Sequence, residues 1–100
     1  MEISLFIGVA QLELHIPEAR SLKEKRKSTL SLLQRLKARH QALVIEAGGQ
    51  DLYQRAVFAI CVMSTTSSDV DARMQRISNT IDESWSGMIL RWEIEVMQLS

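Results

Sequence analysis

Two pairs of side chains in this sequence have the types and spacing to do chemistry. Glu13 and His15 alternate near the end of one extended stretch, and Glu93 and Glu95 alternate within another. Carboxylates gathered beside an imidazole could bind a divalent metal ion or relay protons. The same positions suit an outward strand face, where Arg91 would form a cross-strand charge pair with one of the glutamates. The pattern favours charge pairs over a metal or catalytic site.

Cys61 is the only cysteine, and it lies between Ile60 and Val62 in a run that predicts a strand. A cysteine in this setting is expected to be buried and unreactive. A lone cysteine also excludes a disulfide framework and a zinc site built from four thiolates of one chain. The glycines at 48–49 are not followed by a helix start, so they predict a turn rather than a phosphate-binding loop. We therefore expect no enzyme, no cofactor and no metal.

A basic run in the first half of the chain is the strongest charge feature. Positions 20–39 contain eight Lys or Arg and one Glu. Crowding like charges on one helix is unfavourable by a few tenths of a kcal/mol per i,i+4 pair, so an anionic partner such as ribosomal RNA would be favoured there. The alternative is an ordinary solvated helix surface. The candidate binding residues are Lys23, Lys25, Arg26, Lys27, Arg35 and Arg39.

The polar segment 48–56 (GGQDLYQRA) is a second candidate binding region. It places one aromatic side chain among polar ones at the start of a predicted strand, which suits a docking edge for another protein. The alternative is a turn whose side chains satisfy local backbone groups, with Asp51 paired to Arg55. The candidate residues are Gln50, Asp51, Tyr53, Gln54 and Arg55.

Two clear periodicities define the first elements. Residues alternate with period two over 5–16, which predicts a strand that Pro17 ends. Ser21 and Glu24 form a capping box, so a helix is expected to begin there. Arg26 and Lys37 fall within or at the edge of its apolar arc and must extend toward water or find partners. That arc consists of Leu22, Leu30, Leu33 and Leu36.

Four further elements complete the predicted fold. They are a short strand over 42–47, a strand over 52–63, a helix after the serine-rich segment 64–68, and a strand over 90–96. The order βαββαβ with right-handed crossovers places the first and third strands in the middle of an antiparallel sheet of order 4-1-3-2. The sequence predicts an α+β, ferredoxin-like sandwich of two layers.

Both helices of this fold cover one side of the sheet, which leaves the other side bare; we call it the open face. An apolar patch of several hundred Å² there exceeds what monomers usually expose. We therefore expect a homo-oligomer, with a dimer favoured, packed partly sheet to sheet. The alternatives are a shifted strand phase or an extra element across the face. The expected interface residues are Leu5, Ile7, Val9, Val57, Ala59, Cys61 and Met63.

The composition is that of a globular protein. The chain has 100 residues, 46% of them apolar and 24% charged, with 12 Lys+Arg balancing 12 Asp+Glu. These values fit one domain over residues 1–100 and exclude a disordered chain or a uniformly basic nucleic-acid coat. No run reaches the ~18–20 apolar residues that span a membrane, and the N-terminal stretch lacks the basic residues of a secretory signal. We expect a cytoplasmic protein without membrane contact.

Two segments carry a resemblance to a known family. ELHIPEARSLKEKR (13–26) and GGQDLYQRA (48–56), followed by a strand that ends in VMS, are similar to the YlxP-like family of small bacterial proteins of unknown function. The resemblance covers nearly the whole chain and implies a ferredoxin-like fold. Genes of typical members lie beside those for transcription antitermination, translation initiation and ribosome maturation. By association, the resemblance implies a link to ribosome assembly or translation.

Each of the two family motifs corresponds to specific residues of this chain. At one position the chain differs from the family: Tyr53 stands where the family usually has tryptophan. The first motif corresponds to His15, Pro17, Ser21, Leu22, Lys23, Glu24, Lys25 and Arg26, and the second to Gln50, Asp51, Leu52, Gln54, Arg55 and Ala56. The resemblance supplies no catalytic residues. The leading hypothesis is a non-enzymatic, oligomeric binding module whose basic helix meets RNA. The alternative is an adaptor that docks another protein through residues 48–56 and a sheet edge.

Overall fold

A computed structural model describes residues 1–100 as a four-stranded antiparallel sheet with two helices on one side. The elements are β1 (Phe6–His15), α1 (Leu22–His40), β2 (Leu43–Gly48), β3 (Arg55–Ser64), α2 (Ser67–Ser84) and β4 (Ile89–Gln98). The sheet order is β2-β3-β1-β4, which confirms the predicted βαββαβ, ferredoxin-like α+β fold. Neither helix contains a stretch apolar and long enough to cross a membrane.

β1 lies at the centre of the sheet, between β3 and β4, and its alternation sorts its side chains between the two layers. Ala10, Leu12 and Leu14 point toward the helices and are fully buried. Val9 and its neighbours in phase lie on the open face, opposite Cys61 on β3 and Glu95 on β4. The core is one cluster of 17 buried apolar residues between the sheet and the helices.

α1 is rotated relative to the predicted apolar arc. Its buried positions are Lys25, Thr29, Leu32 and Leu36. At about 100° of rotation per residue, the centre of this buried line lies roughly 70° around the helix axis from the centre of the predicted leucine arc. Leu30, predicted to face the core, is therefore 52% exposed on the side of the helix that faces β2. The sequence interpretation was wrong here because it counted leucines and treated Lys25 as a surface residue.

Both helices begin at capping residues, and α2 packs as expected. Ser21 caps α1 by accepting a hydrogen bond from the backbone N–H of Glu24, which confirms the capping box. Thr66 caps α2 in the same way, by accepting a hydrogen bond from the backbone N–H of Asp69, so this helix begins within the serine-rich segment 64–68 rather than after it. The buried stripe of α2 consists of Val70, Met74, Ile77 and Ile81.

Two strand boundaries differ from the prediction. β3 begins at Arg55 rather than at 52, because Gly49 accepts a backbone hydrogen bond from Leu52 and the intervening residues form a turn. β4 spans Ile89–Gln98 rather than 90–96, and its register against β1 shifts between Glu13 and Leu14. The far end of β4 is not covered by α2, so Ile94 and Val96 remain exposed on the helix side of the sheet.

A glycine allows α2 to approach β1 closely. A Cβ added at Gly8 would lie 2.5 Å from a Val70 methyl and 3.2 Å from the Met74 methyl. We expect Gly8→Ala to lower the free energy of unfolding by about 1–3 kcal/mol, because the packed helix must shift. Denaturant unfolding measures this. Gly48→Ala is the control, since its Cβ would meet Val57 at an ordinary 3.5 Å; equal losses at the two sites would contradict the packing argument.

Candidate functional site

Lys25 is buried at the N-terminal end of α1 and is not exposed to an external binding partner. Its side chain is 2% exposed, and its ammonium lies 3.1 Å from a carboxylate oxygen of Glu46 on β2. It donates a 2.9 Å hydrogen bond to the Gly49 carbonyl and lies 3.4 and 3.5 Å from the carbonyls of Arg55 and Gln50. A buried ammonium is tolerated when its donors are satisfied in this way. The assignment of Lys25 to a binding surface is therefore wrong.

The two motif segments meet at this end of the sheet. The Gln54 side-chain amide donates to the carbonyls of Pro17 and Ala19, at 3.1 and 3.3 Å. The Gln54 carbonyl accepts a 2.8 Å hydrogen bond from the backbone N–H of Ile16. Together with Lys25, these contacts join the turn over 49–54 to the β1–α1 connection. Gln54 therefore has a structural role. It fits the alternative interpretation of segment 48–56, in which the side chains of a turn satisfy nearby backbone groups.

Arg55 pairs with Glu13 on the open face, not with Asp51. Arg91 lies 3.7 Å from the other Glu13 oxygen and 3.9 Å from Glu93. The two arginines lie across Glu13, which is only 7% exposed although it is on the bare side of the sheet. The cross-strand charge pairs expected from the sequence are present, and no three His, Cys, Asp or Glu side chains are arranged to hold a metal ion. Each carboxylate oxygen of Glu13 is therefore paired with a guanidinium group.

The remaining residues of segment 48–56 lie at the surface. Gln50, Asp51, Leu52 and Tyr53 are exposed in the turn that precedes β3. Leu52 and Tyr53 line a shallow open depression together with His15, Gln54 and Arg55. The structure thus brings the candidate residues of this segment together. Leu52 and Tyr53 are the large apolar side chains exposed in this segment, at 47% and 50%.

The other cations of the basic run surround the exposed side of α1. None forms an ion pair: the four salt bridges of the chain use only Lys25, Arg55 and Arg91 as cations. Arg35 donates a 2.8 Å hydrogen bond to the Ser84 hydroxyl. The exposed cations are Arg20, Lys23, Arg26, Lys27, Arg35, Lys37 and Arg39. Arg26 and Lys37, which the leucine arc placed near the core, reach water as the sequence required.

His40 adds no positive charge to this surface at neutral pH. It ends α1, and its Nε2 lies 2.7 Å from the Thr80 hydroxyl. Burial lowers the pKa of His40 below its ordinary 6.5, and the neighbouring guanidinium groups of Arg76, Arg39 and Arg73 lower it further. The charge of α1 therefore comes from lysine and arginine side chains alone.

A groove runs between α1 and β2, which is an edge strand. It has a volume of about 300 Å³. We call it the α1–β2 groove, and its walls include Arg26, Leu30, Leu33, Lys37, Val44 and Phe58. The sequence interpretation missed it because Leu30 had been assigned to the core. The signal that could have found it is the pair Arg26 and Lys37, which share a helix side with Leu30 and Leu33.

The open face carries apolar side chains along three strands. Leu43 and Ile45 of β2 are 67% and 57% exposed, and Met63 of β3 is 60% exposed. Cys61 is half-buried here and not buried as expected, since no element covers this side of the sheet. The other predicted interface residues, all half-buried, are Leu5, Ile7, Val9, Val57 and Ala59. The sequence interpretation missed Leu43 and Ile45, although their alternation with Val44 indicates an exposed phase.

The fold and the basic helix define a ferredoxin-like α+β sandwich whose helix layer carries an unpaired cationic surface. The chain belongs to the family described as "Protein of unknown function (DUF503)", whose family model matches residues 7–94. It is 36% identical over 76 residues to the "Uncharacterized protein YlxP" of Bacillus subtilis (strain 168), covering 76% of this chain and 83% of that protein. The resemblance to the YlxP-like family is confirmed.

Two solved structures show a similar fold. The de novo designed protein Foldit4 has a TM-score of 0.53 at 11% identity, covering 97% of this chain and 98% of that one. A de novo designed protein with ferredoxin fold has a TM-score of 0.50 at 12% identity, covering 95% and 85%. At these identities the likeness shows the fold alone.

Removal of the buried ammonium tests its structural role. We expect Lys25→Met to lower the free energy of unfolding by about 3 kcal/mol, because Glu46 and the turn carbonyls lose their partner. Lys27→Met, at an exposed position without an ion pair, should change it by less than about 0.5 kcal/mol. Denaturant unfolding compares the two variants, and hydrogen exchange should show earlier opening of the turn over 49–54 in the first. Equal stabilities would show that the Lys25 contacts contribute nothing.

Proposed function

We propose that this protein is a cytoplasmic, non-enzymatic module that binds structured RNA, such as ribosomal RNA, through the phosphate backbone. The single observation that carries the proposal is the exposed surface of α1, where six lysine and arginine side chains have no carboxylate partner. Glu24 is the only acidic residue of α1; the other acidic groups lie on other parts of the chain, including Asp69 and Asp71 on α2 and Glu93 and Glu95 on the open face. A neutral protein with its charges separated in this way presents one strongly positive side.

The cost of this arrangement to the free protein supports the proposal. Lys23, Arg26 and Lys27 lie in the first turns of α1, where the helix dipole favours negative charge. Lys23 and Lys27 are also like charges at i,i+4, which repel by a few tenths of a kcal/mol. Stability alone would favour acidic residues at these positions. A polyanion that approaches the helix removes both penalties.

The dimensions of α1 suit contacts to several phosphates. The helix has 19 residues and is therefore about 28 Å long. Its exposed cations are spread along this length and can contact several phosphates. Binding is therefore expected to depend on the shape and charge of the RNA backbone rather than on its base sequence. The centre of the sheet is aliphatic rather than aromatic, which disfavours the base stacking used by sheet-surface RNA readers.

Salt dependence tests the RNA proposal. We expect the affinity for a labelled RNA hairpin to fall about a hundredfold between about 50 and 200 mM salt, as release of about four counterions requires. Lys23→Gln combined with Lys27→Gln should reduce the slope of log affinity against log salt by about two, without loss of thermal stability. Fluorescence anisotropy across a salt series measures both quantities.

The control variant has the same net charge but keeps α1 intact. Gln11→Glu combined with Gln98→Glu lowers the charge by the same amount on β1 and β4. It should leave the salt slope of RNA binding unchanged. Undetectable or salt-insensitive binding by the wild-type protein would refute the proposal, and equal effects of the two double variants would refute the role of α1.

A protein-docking role for segment 48–56 is the second candidate, and the exposure of Leu52 and Tyr53 favours it. Gln54 and Arg55 are engaged within the chain, so these two side chains would carry the contact. A partner that is captured after nuclease treatment and is lost on Tyr53→Ser would favour this role over RNA binding.

We further propose that the open face is the interface of a homodimer. Its apolar part and its mixed charges, from Arg55 and Arg91 to Glu93 and Glu95, can match a second copy about a two-fold axis. The α1 side would repel a second copy, because its exposed cations have no counter-charges. Sheet-to-sheet packing would bury on the order of 1,000 Å², near the lower limit for a specific interface.

Light scattering at micromolar concentration tests the dimer. We expect a mass of twice 11.4 kDa for the wild-type protein. Met63→Glu should yield a monomer, because it buries an unpaired charge in the interface. Leu30→Glu is the control, since Leu30 is 52% exposed on α1, on the other side of the sheet from the open face. A monomeric wild-type protein would overturn the dimer proposal and leave the RNA proposal unaffected.

A further inference from the structure

We infer that the α1–β2 groove binds an extended acidic peptide segment of a partner protein, which adds to the sheet as a fifth strand beside β2. The site shares Arg26 and Lys37 with the cationic surface proposed above, but it lies on the side of α1 that faces β2 and adds the free edge of that strand. Three observations carry the inference: the free edge of β2, the apolar walls of the groove, and two cations at its rim.

The outer edge of β2 has no neighbouring strand, since β2 ends the sheet order. Edge strands of natural proteins are usually protected by charged residues, which prevent pairing with another chain. The only charged side chain on β2 is Glu46, and Lys25 neutralises it. Leu43, Val44 and Ile45 therefore leave a strand edge that can hydrogen-bond to an extended peptide.

Apolar side chains lie on both sides of that edge. Leu30 of α1 is 52% exposed on the helix side, next to the half-buried Leu33. Leu43 and Ile45 are exposed on the opposite side of the sheet. The side chains of an added strand alternate between these two sides, so each side of the peptide meets apolar surface. Leu43 and Ile45 therefore favour apolar side chains at every second position of the peptide, and the positions between them face Leu30 and the cations of α1.

Two cations select the charge of the occupant. Arg26 and Lys37 line the groove, and neither has a carboxylate partner in the chain. They are 11 positions apart on α1, which corresponds to about 16 Å along the helix and about five residues of an extended chain. A peptide with carboxylates near both ends of such a stretch would pair with both cations. A basic peptide would be repelled.

A labelled peptide of alternating glutamate and valine is the probe. We expect it to bind the full-length protein, and Lys37→Gln to weaken the binding about tenfold, the loss typical of one charge-assisted contact. Lys27→Gln is the matched control, because Lys27 is an exposed lysine of α1 that lies outside the groove. It should leave peptide affinity unchanged within about twofold while it weakens RNA binding. Fluorescence anisotropy measures both ligands.

Amide chemical shifts locate the occupant. Addition of the peptide should shift the backbone amides of Leu43–Gly48 and protect them from hydrogen exchange. Leu30→Ser should weaken peptide binding, whereas Leu90→Ser, at a similarly exposed leucine of β4, should not. Equal binding of a peptide with lysine in place of glutamate, or unchanged β2 amides, would overturn the inference. Displacement of the peptide by an RNA hairpin that shifts the same amides would identify RNA as the occupant instead.

Discussion

The orientation of α1 depends on one buried cation. The Lys25 ammonium lies between the Glu46 carboxylate and the carbonyls of the turn that precedes β3, so the helix must place this face against the sheet. Removing Glu46 would leave the buried ammonium without its counter-charge, and removing Lys25 would leave the partly exposed Glu46 and the turn carbonyls without their partner; either change costs more than a lost surface contact. The apolar arc of leucines does not set the rotation. The helix is instead rotated so that the Lys25 ammonium reaches its hydrogen-bond acceptors, and Leu30 is left exposed as a result.

The surfaces of the molecule follow from this constraint. With Lys25 inward, Lys23 and Lys27 point away from the sheet, while Arg26, Leu30 and Lys37 face the edge strand β2. The exposed side of α1 is therefore positive, and the open face on the other side of the sheet has mixed charges around an apolar area. These two sides suit different partners, since a cationic helix attracts a polyanion and a bare apolar sheet favours a matching surface. The groove between them combines both properties.

The fold itself says little about the role of this protein. Two designed proteins share it at 11% and 12% identity, and the YlxP-like family is one of unknown function. The segments that mark the family are explained largely by structure: Lys25 and Gln54 connect the turn over 49–54 to the rest of the chain. Residues that serve the fold in this way identify relatives, but they do not identify a ligand. The side chains that have no internal partner are the ones available to a ligand.

The order and type of the elements could be predicted from the sequence, because alternation, the capping box at Ser21 and the stop at Pro17 are local properties of the chain. The open face and the basic run were also evident, since they depend only on strand phase and residue type. The burial of Lys25, the pairing of Arg55 with Glu13 and the exposure of Leu30 were decided by tertiary structure. Each depends on a partner distant in the sequence, and local periodicity carries no information on whether a buried charge will find one.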